Sequence, residues 1–426
     1  MRNLHESPAP ARGAERAGRP ATLFSDGLIF FRSAFIMSAF GNEFLFFVMT
    51  LRVYALTGRA VDVGIFTALS FVPKMFSPLF GALVDRFGSR RVLGCASGSA
   101  ALVTMCLPFV GDFALLYVLW FFLSALFILI GNARTVLMNE MTGHAAHAKS
   151  NSQVLAFLTV TRLAAPLCAA FLTRSFGEMT LIPAAAGVYI IASGAAFATH
   201  NLSASGGQKR DVPLRLFALD GFRSLWRSRD LRTLTCVGVV WRLFLGLFSS
   251  SLIVYVTSTL GRSSADYALA VAVMAAGSLA GSLAGPFFIR ILRAKAAAGA
   301  GFAAYVAGLT TLAGVTDFYT ALALLCVSHF ALYAAVVAMH ARRDQAADPA
   351  LRGRAYGANT AILTPAAIVS MLAGGALIDI FGVRAVYLTA GIATMLSIGV
   401  IFFFIAAGGW IKERKNNCTG ALRVTD

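Results

Sequence analysis

Five ionisable residues interrupt long apolar stretches of this chain: Glu43, Lys74, Arg162, Arg242 and His329. A charged side chain at the centre of a bilayer costs roughly 2.5–3.5 kcal/mol on insertion scales, so each such residue needs a chemical reason to be there. Glu43 is the one carboxylate deep in any stretch. Desolvation raises a carboxyl pKa and a nearby cation lowers it, so an acid held between those effects can take up and release a proton. Proton coupling through Glu43 is the chemistry this suggests; the alternative is a structural ion pair with Lys74 or Arg162. Lys74, Arg162 and Arg242, joined by His329 when protonated, outnumber that acid. Unpaired buried cations are costly, and Arg grips a carboxylate or phosphate with two parallel hydrogen bonds. The set therefore points to an anionic or zwitterionic small molecule. His329 alone reads either as hydrogen-bonded structure or as a proton relay, because its charge changes near neutral pH.

The elements that must position these residues are membrane helices. Of 426 residues, 58% are hydrophobic and 13% charged, and the mean hydropathy is +0.75. A soluble chain carries roughly 25% charged residues, so too few charges remain to coat a water-soluble surface of this size. A helix that spans a bilayer takes about 20 apolar residues. Candidate spans fall at 28–51, 63–84, 92–111, 114–137, 152–173, 180–200, 233–257, 267–289, 296–315, 318–340, 356–378 and 385–409, twelve in all. The five ionisable residues sit near the middle of their spans. The first 24 residues are polar and lack an apolar core before a small-residue cleavage site, so no cleavable signal peptide is expected.

A net charge of +17 would suit nucleic acid if the charges were clustered. On the twelve spans they form a topology signal instead. With both termini inside, the inner segments hold 26 Arg and Lys, and the outer segments hold five: Arg52, Arg59, Arg174, Arg262 and Arg384. That bias places both termini in the cytoplasm and removes nucleic acid as a partner. The basic residues include only six Lys, and Ala is abundant, which suits a GC-rich bacterial genome and an inner-membrane location. The six cysteines show no metal-site or disulfide spacing. Cys95, Cys106, Cys168, Cys236 and Cys326 lie in apolar runs, where they are expected to be small buried hydrophobes. Cys418 lies in the C-terminal tail. No cofactor or metal is implied.

The chain divides into a tail (1–27), six spans (28–200), a basic linker (201–232) whose amphipathic end suits a surface-lying helix, six more spans (233–409) and a second tail (410–426). The halves echo one another. Asp62 and Gly81 recur 204 residues later as Asp266 and Gly285, and the same shift carries Arg86 onto Arg290 and Arg91 onto Lys295. Parallel repeats of this kind are a transporter signature, with substrate bound at the midplane between the halves.

Between the second and third spans the chain reads GALVDRFGSRRVL. Gly81, Asp85, Arg86, Gly88, Arg90 and Arg91 match the G-x-x-x-D-R-x-G-R-R loop, so the chain resembles the major facilitator superfamily. Gly41-Asn42-Glu43, Leu56-Thr57-Gly58, the stretch from Pro349 to Arg354 and the linker phrase LDGFRSLWRSRDLR resemble its bacterial siderophore and macrolide exporter branch. The resemblance implies an all-α membrane fold of twelve helices in two pseudo-symmetric six-helix halves, with helices 3, 6, 9 and 12 facing lipid. It implies that Asn42 and Glu43 face the substrate path, that Arg162 belongs to the family's fifth helix, and that Lys74, unusual there, sets specificity. The loop is then a conformational latch: Asp85 can sit on a helix N-terminus or an Arg, and its glycines allow a tight turn and close helix approach. Two departures stand out. Ile289 occupies the place of Asp85 in the second half, and the antiporter pattern G-P-x-x-G-G appears as Ala165-Pro166-Leu167-Cys168-Ala169-Ala170.

Several smaller patterns carry no chemistry. Gly299-Ala-Gly301 mimics a dinucleotide fingerprint without a preceding strand, His144 and His147 lack a third ligand, and AAGSLAGSLAG at 275–285 is a small-residue face for helix packing. The expected function is a monomeric, proton-coupled secondary transporter, not an enzyme, exporting an anionic or zwitterionic molecule such as a carboxylate siderophore. An importer, a multidrug or lipid exporter of the same fold, and a non-transporting sensor on that scaffold are the alternatives.

Overall fold

The computed structural model describes residues 26–176, 178–198, 222–348 and 352–400; the side chains of 26–35, 138–159, 162–163, 170, 173–174, 178–179 and 352–354 fall outside that description. The described elements are helices: α1 (Asp26–Thr57), α2 (Ala60–Phe71), α3 (Ser77–Phe87), α4 (Ser89–Cys106), α5 (Phe113–Phe176), α6 (Glu178–Ala198), α7 (Arg229–Val254), α8 (Ser264–Thr311), α9 (Phe318–Ala346), α10 (Arg352–Phe381) and α11 (Val383–Val400). Distal below means the end of the bundle that α1 reaches at Thr57, and proximal the end where it begins.

Ten helices among the described residues are long and apolar enough to cross a membrane, and one of them, Ser264–Gly314, is 51 residues long. At ~1.5 Å per residue that is about 77 Å, enough for two crossings of ~30 Å of hydrocarbon. The backbone leaves helical geometry at Arg293 (φ 62°, ψ 153°), between the two spans expected there. The 64-residue α5 likewise carries the fourth and fifth spans. The result is the twelve-helix, two-half fold.

Boundaries moved for local reasons. No residue of Arg52–Thr57 breaks a helix, so α1 runs past its expected end and stops only before Gly58, whose φ of 65° ends the helical path. Arg52 is consequently a buried helix residue, 4% exposed, and not part of an outer loop. The second span is broken into α2, a 3-10 turn (Val72–Phe76) and α3. Pro73 and Pro78 each lack an amide donor and crowd the preceding turn, which tightens the backbone where Lys74 stands. In the linker, residues 222–227 form a short helix that buries Leu225 and leaves Trp226 71% exposed.

Lipid gives apolar side chains little reason to leave it, so membrane helices associate through close packing of small residues. Gly277, Gly281 and Gly285 make such a face on α8: a Cβ on each would lie 2.3 Å from the Cys326 carbonyl oxygen, 2.1 Å from the Phe330 carbonyl oxygen and 2.8 Å from Val337 Cβ, all on α9. In the first half, α1 and α4 pack on α5 and α6 around Phe66 and Trp120, whose rings lie 4.3 Å apart. Asp317, between the spans, caps α9 by accepting from the Thr320 amide at 2.7 Å, which holds its carboxyl below the usual range. The cysteines are a correction: Cys95, Cys106, Cys168 and Cys236 are exposed and Cys326 half-buried. The four exposed ones lie on outward helix faces, where lipid tolerates a thiol as well as a core does, and Cys326 lies at the contact of α9 with Gly277 of α8. Cys418 lies outside the described residues.

Gly281→Ala should destabilise the protein by about 1–3 kcal/mol, because a Cβ there overpacks backbone that cannot retreat. Gly187→Ala, where a Cβ meets nothing within 4 Å, is the control. Thermal unfolding in detergent reads both; equal midpoints for the two variants would contradict the packing described.

Candidate functional site between the halves

Glu43, Phe47 and Tyr54 lie within about 40° of one another around α1, from its 3.6-residue turn. Phe47 stacks on Tyr267 of α8 at 5.2 Å, and the Tyr54 hydroxyl shares a 2.6 Å hydrogen bond with Ser258 Oγ just beyond α7. This stripe therefore faces the second half, and Glu43, half-buried, lies on it about 16 Å below the Tyr54 contact. Asn42, one position earlier, turns elsewhere: its side-chain oxygen accepts a 2.7 Å hydrogen bond from Tyr189, which is fully buried in α6. Asn42 thus ties α1 to α6 within its own half.

Lys74 sits in the 3-10 turn, its Nζ 3.5 Å from the centroid of the Phe71 ring. That turn packs against both α5 and α10, so Lys74 also lies where the halves meet. It is ten residues below Gly64, about 15 Å. Lys74 and Glu43 share a depth near the middle of ~30 Å of hydrocarbon.

What closes the structure above them is a contact between α2 and α10. Asp379 accepts hydrogen bonds from the amides of Ala60 (2.8 Å) and Val61 (3.0 Å), the first two of α2. These amides have no partner inside the helix and carry its positive dipole end. Sequence comparison of the halves explains why the cap crosses over. Ser263 closes its own helix in a capping box with Asp266; 204 residues earlier the pair is Arg59 and Asp62, and Arg59 makes no cap. The carboxylate comes from the other half instead. Glycine permits the approach: a Cβ on Gly64 would lie 2.5 Å from the Met371 carbonyl oxygen, and one on Gly375 2.6 Å from that of Ala60.

The remaining candidates are dispersed. The side chain of Arg162 lies outside the described residues. Arg242, on α7, does not share the midplane with Glu43. Side chains lean toward a helix N-terminus, and its guanidinium lies over Trp241 (4.7 Å to the centroid) within electrostatic reach of Arg343, Tyr333 and Tyr356, toward the proximal end. His329 is 5% exposed inside the second half, its Nδ1 2.9 Å from the Leu325 carbonyl oxygen and its ring packed on Tyr305 and Phe248. It belongs to a packed aromatic core.

In the signature loop, Gly88 adopts φ 85° between α3 and α4, a conformation that favours glycine. A Cβ on Gly81 would meet nothing within 4 Å, so close approach does not use that residue in this state. Asp85 and Arg91 are exposed, Arg86 lies over Phe87 at 5.4 Å, and Arg90 is half-buried. Among the described residues Asp85 has no hydrogen bond or ion pair. The acid missing at Ile289 is supplied from elsewhere: Asp230, at the start of α7, pairs with Lys295 at 2.9 Å and with Arg342. Sequence reading missed Asp230, Asp379 and Arg343; the non-equivalence of Arg59 and Ser263 was the available signal for Asp379.

The sequence profile of the Major Facilitator Superfamily matches residues 31–339. A comparison with curated proteins finds no match. Among solved structures, the fold resembles the nucleoside transporter NupG (TM-score 0.73, 12% identity, covering 89% of this chain and 98% of that one). It also resembles a bacterial homologue of the human lysosomal transporter Spinster in an inward-facing, unoccupied conformation (0.66, 13%, 91% and 97%). A third is a bacterial homologue of the iron transporter ferroportin in an inward-facing state (0.65, 14%, 87% and 97%).

Asp379→Ala should weaken the distal closure by about 1–2 kcal/mol, the value of a helix cap with its dipole term, raising the open population about 5- to 30-fold. Spin labels at Leu56 and Ile380, both exposed, read it as a new longer-distance population. An unchanged distribution would contradict the role given to Asp379.

Proposed function

Because the chain belongs to the major facilitator superfamily, we propose that it is a secondary active transporter that exports a small anionic or zwitterionic organic molecule in exchange for protons, by alternating access. A carboxylate-bearing metabolite of the siderophore kind fits the charges. The observation that carries the reading is the Asp379 closure, with Lys74 half-buried about 20 Å beneath it at the junction of the halves and Glu43, also half-buried, at a similar depth on α1. Charges at that depth are tolerated where they line water or pair with one another.

With Arg52 inside α1, the bias of basic residues is 26 inner to four outer, which supports cytoplasmic termini in a bacterial inner membrane, making the distal end periplasmic. The structure then corresponds to the cytoplasm-open state, in keeping with an exposed Asp85 and with two neighbours described as inward-facing. In that state the substrate anion enters toward Lys74 and Arg162, and Glu43 gives up its proton to the cytoplasmic side. The halves rock: Asp379 leaves the α2 amides, and Asp85 engages a partner at the cytoplasmic end. Glu43, now open to the periplasm, takes a proton as the anion departs. A neutral Glu43 lowers the cost of the return. One chain suffices for this cycle.

The test is uptake into everted vesicles under an imposed pH gradient, screened over carboxylates. Glu43→Gln should lose gradient-driven uptake by at least about tenfold while retaining substrate exchange, since a permanently neutral residue cannot couple to protons. Full gradient-driven activity in that variant removes Glu43 from the role. Lys74→Glu should abolish uptake of an anionic substrate; unchanged uptake would contradict an anion held at Lys74.

A further inference from the structure

The proximal part of the second half holds Arg343 near Arg242, a candidate cation with a described side chain that the transport cycle above does not use. Arg343 of α9 is 5% exposed, and its Nη2 is buried without a hydrogen-bond partner; the Nε of half-buried Arg242 on α7 is likewise buried and unpartnered. The guanidinium of Arg343 lies over the Tyr356 ring at 5.4 Å, and that of Arg242 over Trp241 at 4.7 Å. His340 meets the edge of Tyr356 at 6.2 Å between ring centroids. The two guanidinium groups lie within electrostatic reach of each other, with the Tyr333 and Tyr356 phenols nearby.

This arrangement is short of negative charge. Asp344, next to Arg343 in the chain, is exposed at the rim. Asp230 is engaged by Lys295 and Arg342. No carboxylate among the described residues forms an ion pair with Arg242 or Arg343. Aromatic faces attract a cation by about 0.5–2 kcal/mol, which leaves most of the desolvation cost of a guanidinium uncovered. Two like charges thus lie within electrostatic reach of each other, each with a buried nitrogen that has no hydrogen-bond partner and each beside an aromatic ring. That geometry is complementary to an anion.

We propose that Arg242 and Arg343 form an oxyanion-binding site, taking a carboxylate or phosphate group, with the planar rings of Trp241 and Tyr356 fixing the guanidinium planes. Each arginine donates to the oxyanion, with the Tyr356 and Tyr333 phenols within electrostatic reach of Arg242. In the transport reading above this is where the anionic part of the substrate first docks from the cytoplasm, before it reaches Lys74; that assignment rests on the reading, whereas the site does not.

Calorimetric titration of the full-length protein in phosphatidylcholine nanodiscs, with citrate and inorganic phosphate as probes, tests it. At least one probe binds, Arg242→Gln and Arg343→Gln each weaken it about tenfold or more, and Arg343→Lys weakens it less. Repeating the titration in discs containing phosphatidylglycerol separates the sources: loss of probe binding there, in the wild type, identifies a lipid phosphate as occupant, and unchanged affinity identifies a soluble anion. The site is overturned if neither probe binds, or if the Gln variants bind as tightly as wild type. A folding control is Arg343→Met, which removes an unpaired charge and should leave the unfolding temperature of the ligand-free protein level or higher; a fall of several degrees would show Arg343 already satisfied within the protein and end the proposal. Anion binding without vectorial transport defeats the transport reading alone, while transport with an unaltered KM in an Arg343→Gln variant that has lost probe binding defeats only the assignment of this site as the substrate's first docking point.

Discussion

At the distal end one carboxylate, together with the Tyr54–Ser258 hydrogen bond, joins the two half-molecules. Asp379 reaches from α10 to the two leading amides of α2, which the residue before them, Arg59, does not cap. The contact exists because Gly64 and Gly375 let the two backbones touch. From this anchor the rest follows by helix geometry. Descending from the leading amides of α2 by about 20 Å brings the chain to the proline-tightened turn and Lys74, and descending α1 from the Tyr54 contact brings it to Glu43. The depth of both charges is set by where the helices are pinned.

Such a pin suits a molecule that must open and close. A helix cap is worth about as much as one or two ordinary contacts, enough to favour one state and weak enough to be released by ligand binding. The signature loop offers the corresponding acid at the opposite end of the same span: Asp85 closes α3, exposed, as Asp379 stands near the end of α10, engaged. An acid at the proximal end of the second span and one at the distal end of the eleventh suit a device in which each end is clamped in turn. The duplication visible at an offset of 204 explains the near-symmetry, and the change from Ser263 to Arg59 explains its departure.

The spans were legible because a bilayer demands about 20 apolar residues per crossing and tolerates few charges. Their ends were less so. Arg52 reads as a loop residue by charge alone, yet a helix continues until something stops it, and that is Gly58. Site residues were legible by type and poorly by direction. Linear position placed Arg242 at mid-span, but a long side chain leaning toward its helix N-terminus carries the guanidinium toward the proximal end. His329 was visible as an ionisable group in an apolar run; only the packing shows Phe248 of α7 and Tyr305 of α8 closing over it. Asp379, at the end of an apolar span, looked like any boundary charge.

The proposed transport cycle requires a chamber between the halves that reaches Lys74 from the proximal side and is sealed from the distal side. Substituted-cysteine labelling tests that most directly: Lys74→Cys, in a chain whose native cysteines are replaced, is exposed to a membrane-impermeant maleimide from one face of proteoliposomes at a time. Without substrate, labelling from the proximal face alone is the result expected. Labelling from the distal face, or from neither, would contradict the chamber and the closure assigned to Asp379.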